Sequence, residues 1–161
     1  MPILHIQINA QGKAPDGTAV PIPPSQAMSA RGPVLQVSVT IISSVAEQVI
    51  QQGATLPSPI SGLALIDTGA TTTCIDDEIA QQIGAPVIDV VKMNSASHAN
   101  TDANIYPVHL EIAGFNIHIN AQRCMGAALQ PHGLIMLIGR DVLAKCTLFY
   151  NGVSGQFTLS I

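Results

Sequence analysis

Tryptophan is absent from this 161-residue chain, which carries only three Phe and two Tyr. Nucleic-acid binding needs aromatic rings for base stacking or a basic stripe for phosphates. With six Lys and Arg against ten Asp and Glu, and a net charge of −4, the sequence supplies neither. Charge of both signs is scarce: 10% of residues are charged and 47% hydrophobic, whereas soluble domains carry roughly a quarter charged residues. That shortage fits apolar surface covered by a partner, and equally a membrane contact or a poorly soluble surface. No apolar run approaches the roughly 18 to 20 residues that span a bilayer, so no membrane span is expected. The start, Met1-Pro2-Ile3-Leu4-His5, lacks the basic-then-apolar layout of a signal peptide. Cys74, Cys124 and Cys146 are odd in number and form no tight pairing motif, which argues against a disulfide framework. Together these features predict a cytoplasmic protein with reduced buried thiols, in one domain with a modest core.

The chain divides into a weak head and a strong body. Residues 1–32 read as an N-terminal strand over Ile3 to Ile8 followed by a Pro- and Gly-rich linker; the segment 11–33, with Gly12, Pro15, Gly17, Pro21, Pro23 and Pro24, reads as loop. Residues 33–161 read as the functional domain, mostly β. Val34 to Ile42 alternates with period two, and residues 44–53 predict a short helix ending at Gly53. Gly62 to Ile66 is a short, fully apolar strand. Ile79 to Gly84 reads as one or two helical turns, with Asp76, Asp77 and Glu78 at its favourable N-terminal end. Tyr106 to Ile112 and Phe115 to Ala121 predict a hairpin around Ala113-Gly114. Leu134 to Ile138 is a second apolar strand, Arg140 to Cys146 a short helix, and Leu148 to Tyr150 with Gln156 to Ile161 a closing hairpin.

Chemistry concentrates in Ala64-Leu65-Ile66-Asp67-Thr68-Gly69-Ala70. A carboxylate stands at the end of an apolar strand, and Gly lets the backbone turn and approach another chain closely. A lone ionised carboxylate on a dry platform is costly. Two of them side by side share one proton, because both cannot ionise at short range. The charged member then activates a water while the protonated one donates to the scissile carbonyl. Taken alone, Asp-Thr-Gly is equally a set of β-turn residues.

A second motif lies about seventy residues downstream: Leu134-Ile135-Met136-Leu137-Ile138-Gly139-Arg140-Asp141-Val142-Leu143, an apolar strand ending in Gly and then a helical turn. With Ala64 to Ala70 it resembles the retropepsin-like (retroviral-type) aspartic proteases, in the form of a bacterial-type single lobe, over roughly residues 33–161. The closing hairpin around Asn151-Gly152 is similar to that of bacterial members.

The resemblance implies an all-β fold, a single-lobe acid-protease barrel with one or two short helices, in which the two motif strands meet in a ψ-shaped crossing. It implies an aspartic endopeptidase with Asp67 catalytic, paired with Asp67 of a second copy, and with no cofactor and no metal. Thr68 is expected to bond across the dimer, Gly69 to present its backbone to substrate, and Ala70 to complete the active-site loop. Gly139, Arg140 and Asp141 are expected to support that loop. Only one such Asp motif is present, so a C2 homodimer follows, and Leu4 to Ile8 with Phe157 to Ile161 are candidate strands of a sheet shared between subunits. The substrate is an extended peptide or protein segment held against strand edges, under a flap spanning about Val91 to Tyr106.

Three features depart from the viral pattern. Lys92 to Asp102 in the flap contains no Gly. Thr71 stands where viral enzymes carry an Asp that pairs with the Gly-Arg arginine, so Arg140 needs another partner, an Asp or a carbonyl. Residues 44–60 are an insertion without an assigned role. These departures motivate a second hypothesis, a catalytically inactive peptide-binding or dimerisation module of the same fold; an unrelated barrel containing Asp-Thr-Gly is a third.

Other chemistry-bearing residues read more simply. His98 is a solvated loop residue. His118, Cys124 and His132 match no zinc spacing. Met93, Met125 and Met136 read as packing residues, and Arg123 and Lys145 as surface charges.

Overall fold

The computed structural model describes residues 2–93 and 101–161. In chain order the strands are β1 (Ile3–Gln7), β2 (Ala10–Lys13), β3 (Ala19–Ile22), β4 (Val34–Ile41), β5 (Ile60–Ile66), β6 (Cys74–Asp76), β7 (Asp89–Met93), β8 (Thr101–Ile112), β9 (Ile117–Ala127), β10 (Met136–Ile138), β11 (Thr147–Asn151) and β12 (Gln156–Ser160). The helices are α1 (Pro24–Arg31), α2 (Ser43–Gln51), α3 (Asp77–Gln82) and α4 (Arg140–Leu143), with a 3-10 turn at Gln130–His132.

Period-two patterning builds the barrel. In β4, Leu35, Val37, Val39 and Ile41 are buried while Gln36 faces out, as alternation on a half-buried sheet requires. The strand order β4-β5-β10-β6-β9-β8 closes on itself through a β4–β8 pairing, giving a six-stranded barrel, and β7 extends it alongside β8. Closure removes edges that would otherwise invite aggregation. The interior is filled by residues such as Leu110, Val108, Ile75, Met136 and Ile138, each at most 1% exposed.

The ψ-shaped crossing is present. β10 lies between β5, to which it runs parallel (Met136↔Ala64, Leu137↔Leu65, Ile138↔Ile66), and β6, to which it runs antiparallel. The loop from β5 to β6 therefore has to pass around the end of β10, and this places Asp67 beside Gly139.

The fold is the all-β single lobe expected from the sequence; α2, α3 and α4 fall where the sequence predicted helical segments, and α1 is an addition. The loop reading of residues 11–33 is corrected: β2 and β3 pair as a hairpin, and Pro24–Arg31 is helical. Pro24 sits in the first turn of α1, where proline's missing N–H costs nothing, and Ala27 and Met28 are buried in the same core cluster as Val37. The residues that marked this stretch as loop are thus compatible with a helix start. The insertion at 44–60 contributes α2, whose Val45, Ala46 and Val49 pack on the core.

The two chain ends pair with each other within the chain. β12 is central in a three-stranded sheet β1-β12-β11, with His5 opposite Thr158 and Phe149 opposite Thr158 on its other side. Both ladders of β12 are filled within one chain, so it offers no edge to a partner. The open edges belong to β1 and β11, near the exposed Ile3 and Phe149. Among the described residues no helix is long and apolar enough to cross a membrane.

Candidate active site

β5 delivers Asp67 to the barrel rim. Its N–H donates to the Ile138 carbonyl of β10 (3.0 Å), which continues the parallel ladder one residue past the strand. The half-buried carboxylate turns back on its own loop: Oδ1 accepts from the N–H groups of Gly69 (2.8 Å) and Ala70 (3.2 Å). Ala70 N also approaches the Asp67 carbonyl at 3.2 Å. The tripeptide is therefore a turn, and the turn is what fixes the carboxylate; the two readings of Asp-Thr-Gly describe one geometry. Oδ2 meets no donor among the described residues.

The second motif locks the loop from below. A Cβ on Gly139 would lie 2.5 Å from the Thr72 carbonyl carbon, so only glycine lets α4 begin this close to the loop. Asp141 accepts from the Thr73 N–H (3.0 Å to each oxygen) and from the Thr73 hydroxyl (2.7 Å), and Gly139 N–H donates to that same hydroxyl (3.1 Å). Thr73, fully buried, joins both motifs and was not singled out in the sequence, because its partner Asp141 lies 68 residues away. Arg140 N–H donates to the Ala70 carbonyl (3.0 Å). The Arg140 guanidinium takes a carbonyl and a hydroxyl as partners: Thr68 O at 3.3 Å and Thr71 Oγ1 at 2.9 Å. Thr68 and Gly69 are exposed and Ala70 half-buried.

Two cavities meet at Asp67. One, of about 870 Å³, runs under the β7–β8 stem and includes Thr71, Cys74, Asp77, Met93, Asp102 and Met125 in its wall. The other, of about 660 Å³, runs toward α1 past Arg31, Leu63, Leu65 and Leu134. Ala128, His132 and Leu137 line both. β7 and β8 form the antiparallel stem expected of the flap, with Lys92 paired to Asp102 at 2.6 Å; residues 94–100, including His98, lie outside the described residues.

The wall behind the cavities hangs on Asp76. This carboxylate, 3% exposed, caps α3 through the N–H groups of Glu78 and Ile79. It also accepts from the N–H groups of Leu129 (2.8 Å) and Gln130 (3.0 Å) and from the Gln130 side chain (2.8 Å). Burial pushes its pKa up, yet the combined hydrogen bonds of Gln130, Leu129 and Ile79 outweigh that and hold it below the usual value. The sequence pointed to the helix cap; the bonds to the loop 53 residues away had no local signal.

The remaining expectations resolve as follows. Met136 is core, while Met93 and Met125 line the cleft. Arg123 is an exposed charge paired with Asp89 at 2.6 Å. Cys74 and Cys124 are buried free thiols and Cys146 half-buried. Burial pushes the Cys74 thiol up to about 11. Among the described residues no three His, Cys, Asp or Glu side chains converge as metal ligands. His109 and His118 stack at 5.4 Å on the outer face of the β8–β9 hairpin.

A closed barrel crossed by a ψ loop, with Asp-Thr-Gly at the rim and Gly-Arg-Asp beneath it, defines a single-lobe acid-protease architecture. Residues 61–145, more than half of the chain, match the family described as gag-polyprotein putative aspartyl protease, and the chain belongs to that family. Among solved structures it is similar to a retropepsin-like aspartic protease from Rickettsia conorii, at 14% identity and a TM-score of 0.48, over 98% of this chain and 90% of that one. No curated protein matches significantly.

Proposed function

We propose that this chain is an aspartic endopeptidase, active as a homodimer in which two Asp67 carboxylates form one catalytic centre. The observation that carries the reading is the state of Asp67. One oxygen is tied to the Gly69 and Ala70 amides, the other has no donor among the described residues, and the side chain lines both halves of an open cleft. A carboxylate held rigidly at a barrel rim, with its free oxygen available to a second copy, has the geometry that proton sharing requires.

In the dimer the ionised member of the pair takes a proton from a water between them. The water oxygen adds to the scissile carbonyl carbon while the protonated member donates to the carbonyl oxygen, and the tetrahedral intermediate collapses with C–N cleavage as the amine leaves with the proton taken from the water. Gly69, without a side chain, leaves the loop backbone open to an extended peptide. Thr68, exposed beside Asp67, faces its twin across the two-fold axis and ties the loops together. Gly139, Arg140 and Asp141 hold the loop through Thr72, Thr68, Thr71 and Thr73, which keeps Asp67 in place during turnover.

The test is digestion of a mixed peptide library by the wild-type protein and by Asp67→Asn, with sensitivity to a pepstatin-type inhibitor. Cleavage by wild type that the substitution removes is expected. Peptide binding without hydrolysis from acid to neutral pH, unchanged in Asp67→Asn, would instead identify an inactive binding module.

A further inference from the structure

The larger cavity has a charge pattern that the proposed chemistry does not use. Its wall carries three carboxylates, Asp67, Asp77 and Asp102, and no Lys or Arg among the described residues. Asp102 is already paired with Lys92 at the exposed stem. Asp77 is different. It opens α3, and its Oδ1 accepts from the Tyr106 hydroxyl at 2.8 Å. Tyr106 is 1% exposed and is itself steadied by Asn104 Nδ2 at 3.1 Å. Burial, and then the neighbouring Asp77 carboxylate, push the Tyr106 hydroxyl above its usual pKa, so it remains a donor. On the other side Gly126 leaves the carboxylate its room: a Cβ there would overlap Asp77 Oδ1. Oδ2 of Asp77 meets no donor among the described residues.

A carboxylate pinned at one oxygen by a buried tyrosine is pre-organised, which reduces the entropy lost when a partner binds the other oxygen. The same wall offers Met93, Met125 and Leu137, an apolar path suited to the aliphatic stem of a long cationic side chain.

We propose that Asp77 is a specificity-determining residue that selects substrates carrying lysine or arginine at the position occupying this cavity. The inference rests on the endopeptidase reading, because it assigns a subsite of the same cleft. The ammonium or guanidinium group pairs with Asp77 Oδ2, and Met93 and Met125 cover its methylenes.

The experiment compares peptides that place lysine, norleucine or glutamate at each position around the cleaved bond. Wild type is expected to prefer lysine over norleucine by about tenfold in kcat/KM at one position, the scale of a charge-assisted pair in a partly exposed site. Asp77→Asn, which keeps an acceptor for Tyr106, should abolish that ratio, and Asp77→Lys should favour glutamate there. The readout is a ratio within each variant, so a general loss of activity does not imitate it. Calorimetric binding of the same peptides to Asp67→Asn, with and without Asp77→Asn, asks the question without turnover. If wild type cleaves nothing while lysine peptides still bind more tightly in an Asp77-dependent way, the catalytic reading falls and the specificity stands. Equal handling of lysine and norleucine in both assays, a preference unchanged in Asp77→Asn, or no binding of either peptide overturns it.

Discussion

The Arg140 guanidinium donates to Thr71 Oγ1 at 2.9 Å and to the Thr68 carbonyl at 3.3 Å, so the arginine that follows the ψ-loop glycine is held by neutral partners on the Asp67 loop. Both groups are exposed, and a hydroxyl gives such a cation less than a carboxylate does. Thr71→Asp should therefore raise stability, by about 0.5 to 1 kcal/mol for an exposed pair, seen as a rise of a few degrees in Tm. Arg140→Met should lower Tm and reduce kcat through a looser Asp67 loop. A drop in Tm for Thr71→Asp would show that the loop is already at its optimum with threonine.

Gly139 packs directly against the backbone of the Asp67 loop. Gly139→Ala pushes a methyl group against the Thr72 carbonyl carbon, 2.5 Å away, and against Thr73 N at 2.8 Å. These neighbours are backbone atoms of the Asp67 loop and have no rotamer to change. The expected cost is roughly 1 to 3 kcal/mol or more, measured by urea unfolding, with activity lost out of proportion because the shift lands on the segment that carries Asp67.

Much of this was legible in the sequence, and the reasons are local. β4, the β8–β9 hairpin and the β11–β12 hairpin announce themselves through alternation and Gly-centred turns, and β5 through an unbroken apolar run from Gly62 to Ile66. Asp67 and Gly139 to Asp141 are consecutive residues at strand ends, so the two motifs could be read without knowing the fold. What escaped depends on distant partners. β6 is three residues long, too short for a period, and exists because β10 and β9 flank it. α1 hides behind Pro23 and Pro24, which serve a helix start as well as they serve a loop. Thr73, Asp76 and Asp77 gain their roles from Asp141, Leu129 and Tyr106, which lie 68, 53 and 29 residues away.

Asp76 makes stability depend on acid. Its five donors include three groups of Leu129 and Gln130, so Asp76→Ala leaves buried N–H groups without partners, at a cost on the order of 2 to 4 kcal/mol. Because the folded-state pKa is depressed, the native state holds fewer protons than the unfolded state around that pKa. Its contribution is present above the unfolded value of about 3.9 and is lost as pH falls through the lower folded value. The stability of wild type to chemical denaturation should accordingly fall below about pH 4, and the slope should be shallower in Asp76→Asn. An identical slope would place the acid sensitivity elsewhere.

The three thiols should separate kinetically. Burial raises all three pKa values, Cys74 to about 11 and Cys124 well above its usual value, whereas Cys146 is half-buried and less shifted. Since the thiolate is the reactive form, a disulfide reagent at pH 8 should label Cys146 first. Cys74 and Cys124 should then react only as fast as the barrel opens, and a peptide substrate analogue in the cleft that Cys74 lines should slow Cys74 further. Rapid labelling of Cys74 in the folded protein would contradict the packing of β6 between β10 and β9.

Subunit mixing tests the proposal that one chain supplies half a catalytic centre. If Asp67 acts only with its twin, a heterodimer of wild type and Asp67→Asn holds one competent carboxylate and is inactive or nearly so. Random pairing of equal amounts then commits half of the wild-type chains to heterodimers, so activity per wild-type chain should fall to about half, and toward zero with excess mutant. Dilution of wild type alone should lower specific activity in the same way, because the centre dissolves with the dimer. The intrachain filling of β12 sharpens the test: β11 and β1 carry the open edges of the terminal sheet, so Phe149→Asp, on the exposed face of β11, should shift the concentration at half activity upward if that edge joins the copies. Activity per wild-type chain that ignores both added Asp67→Asn and dilution would mean a single chain is sufficient, and the pairing of two Asp67 carboxylates would have to be abandoned.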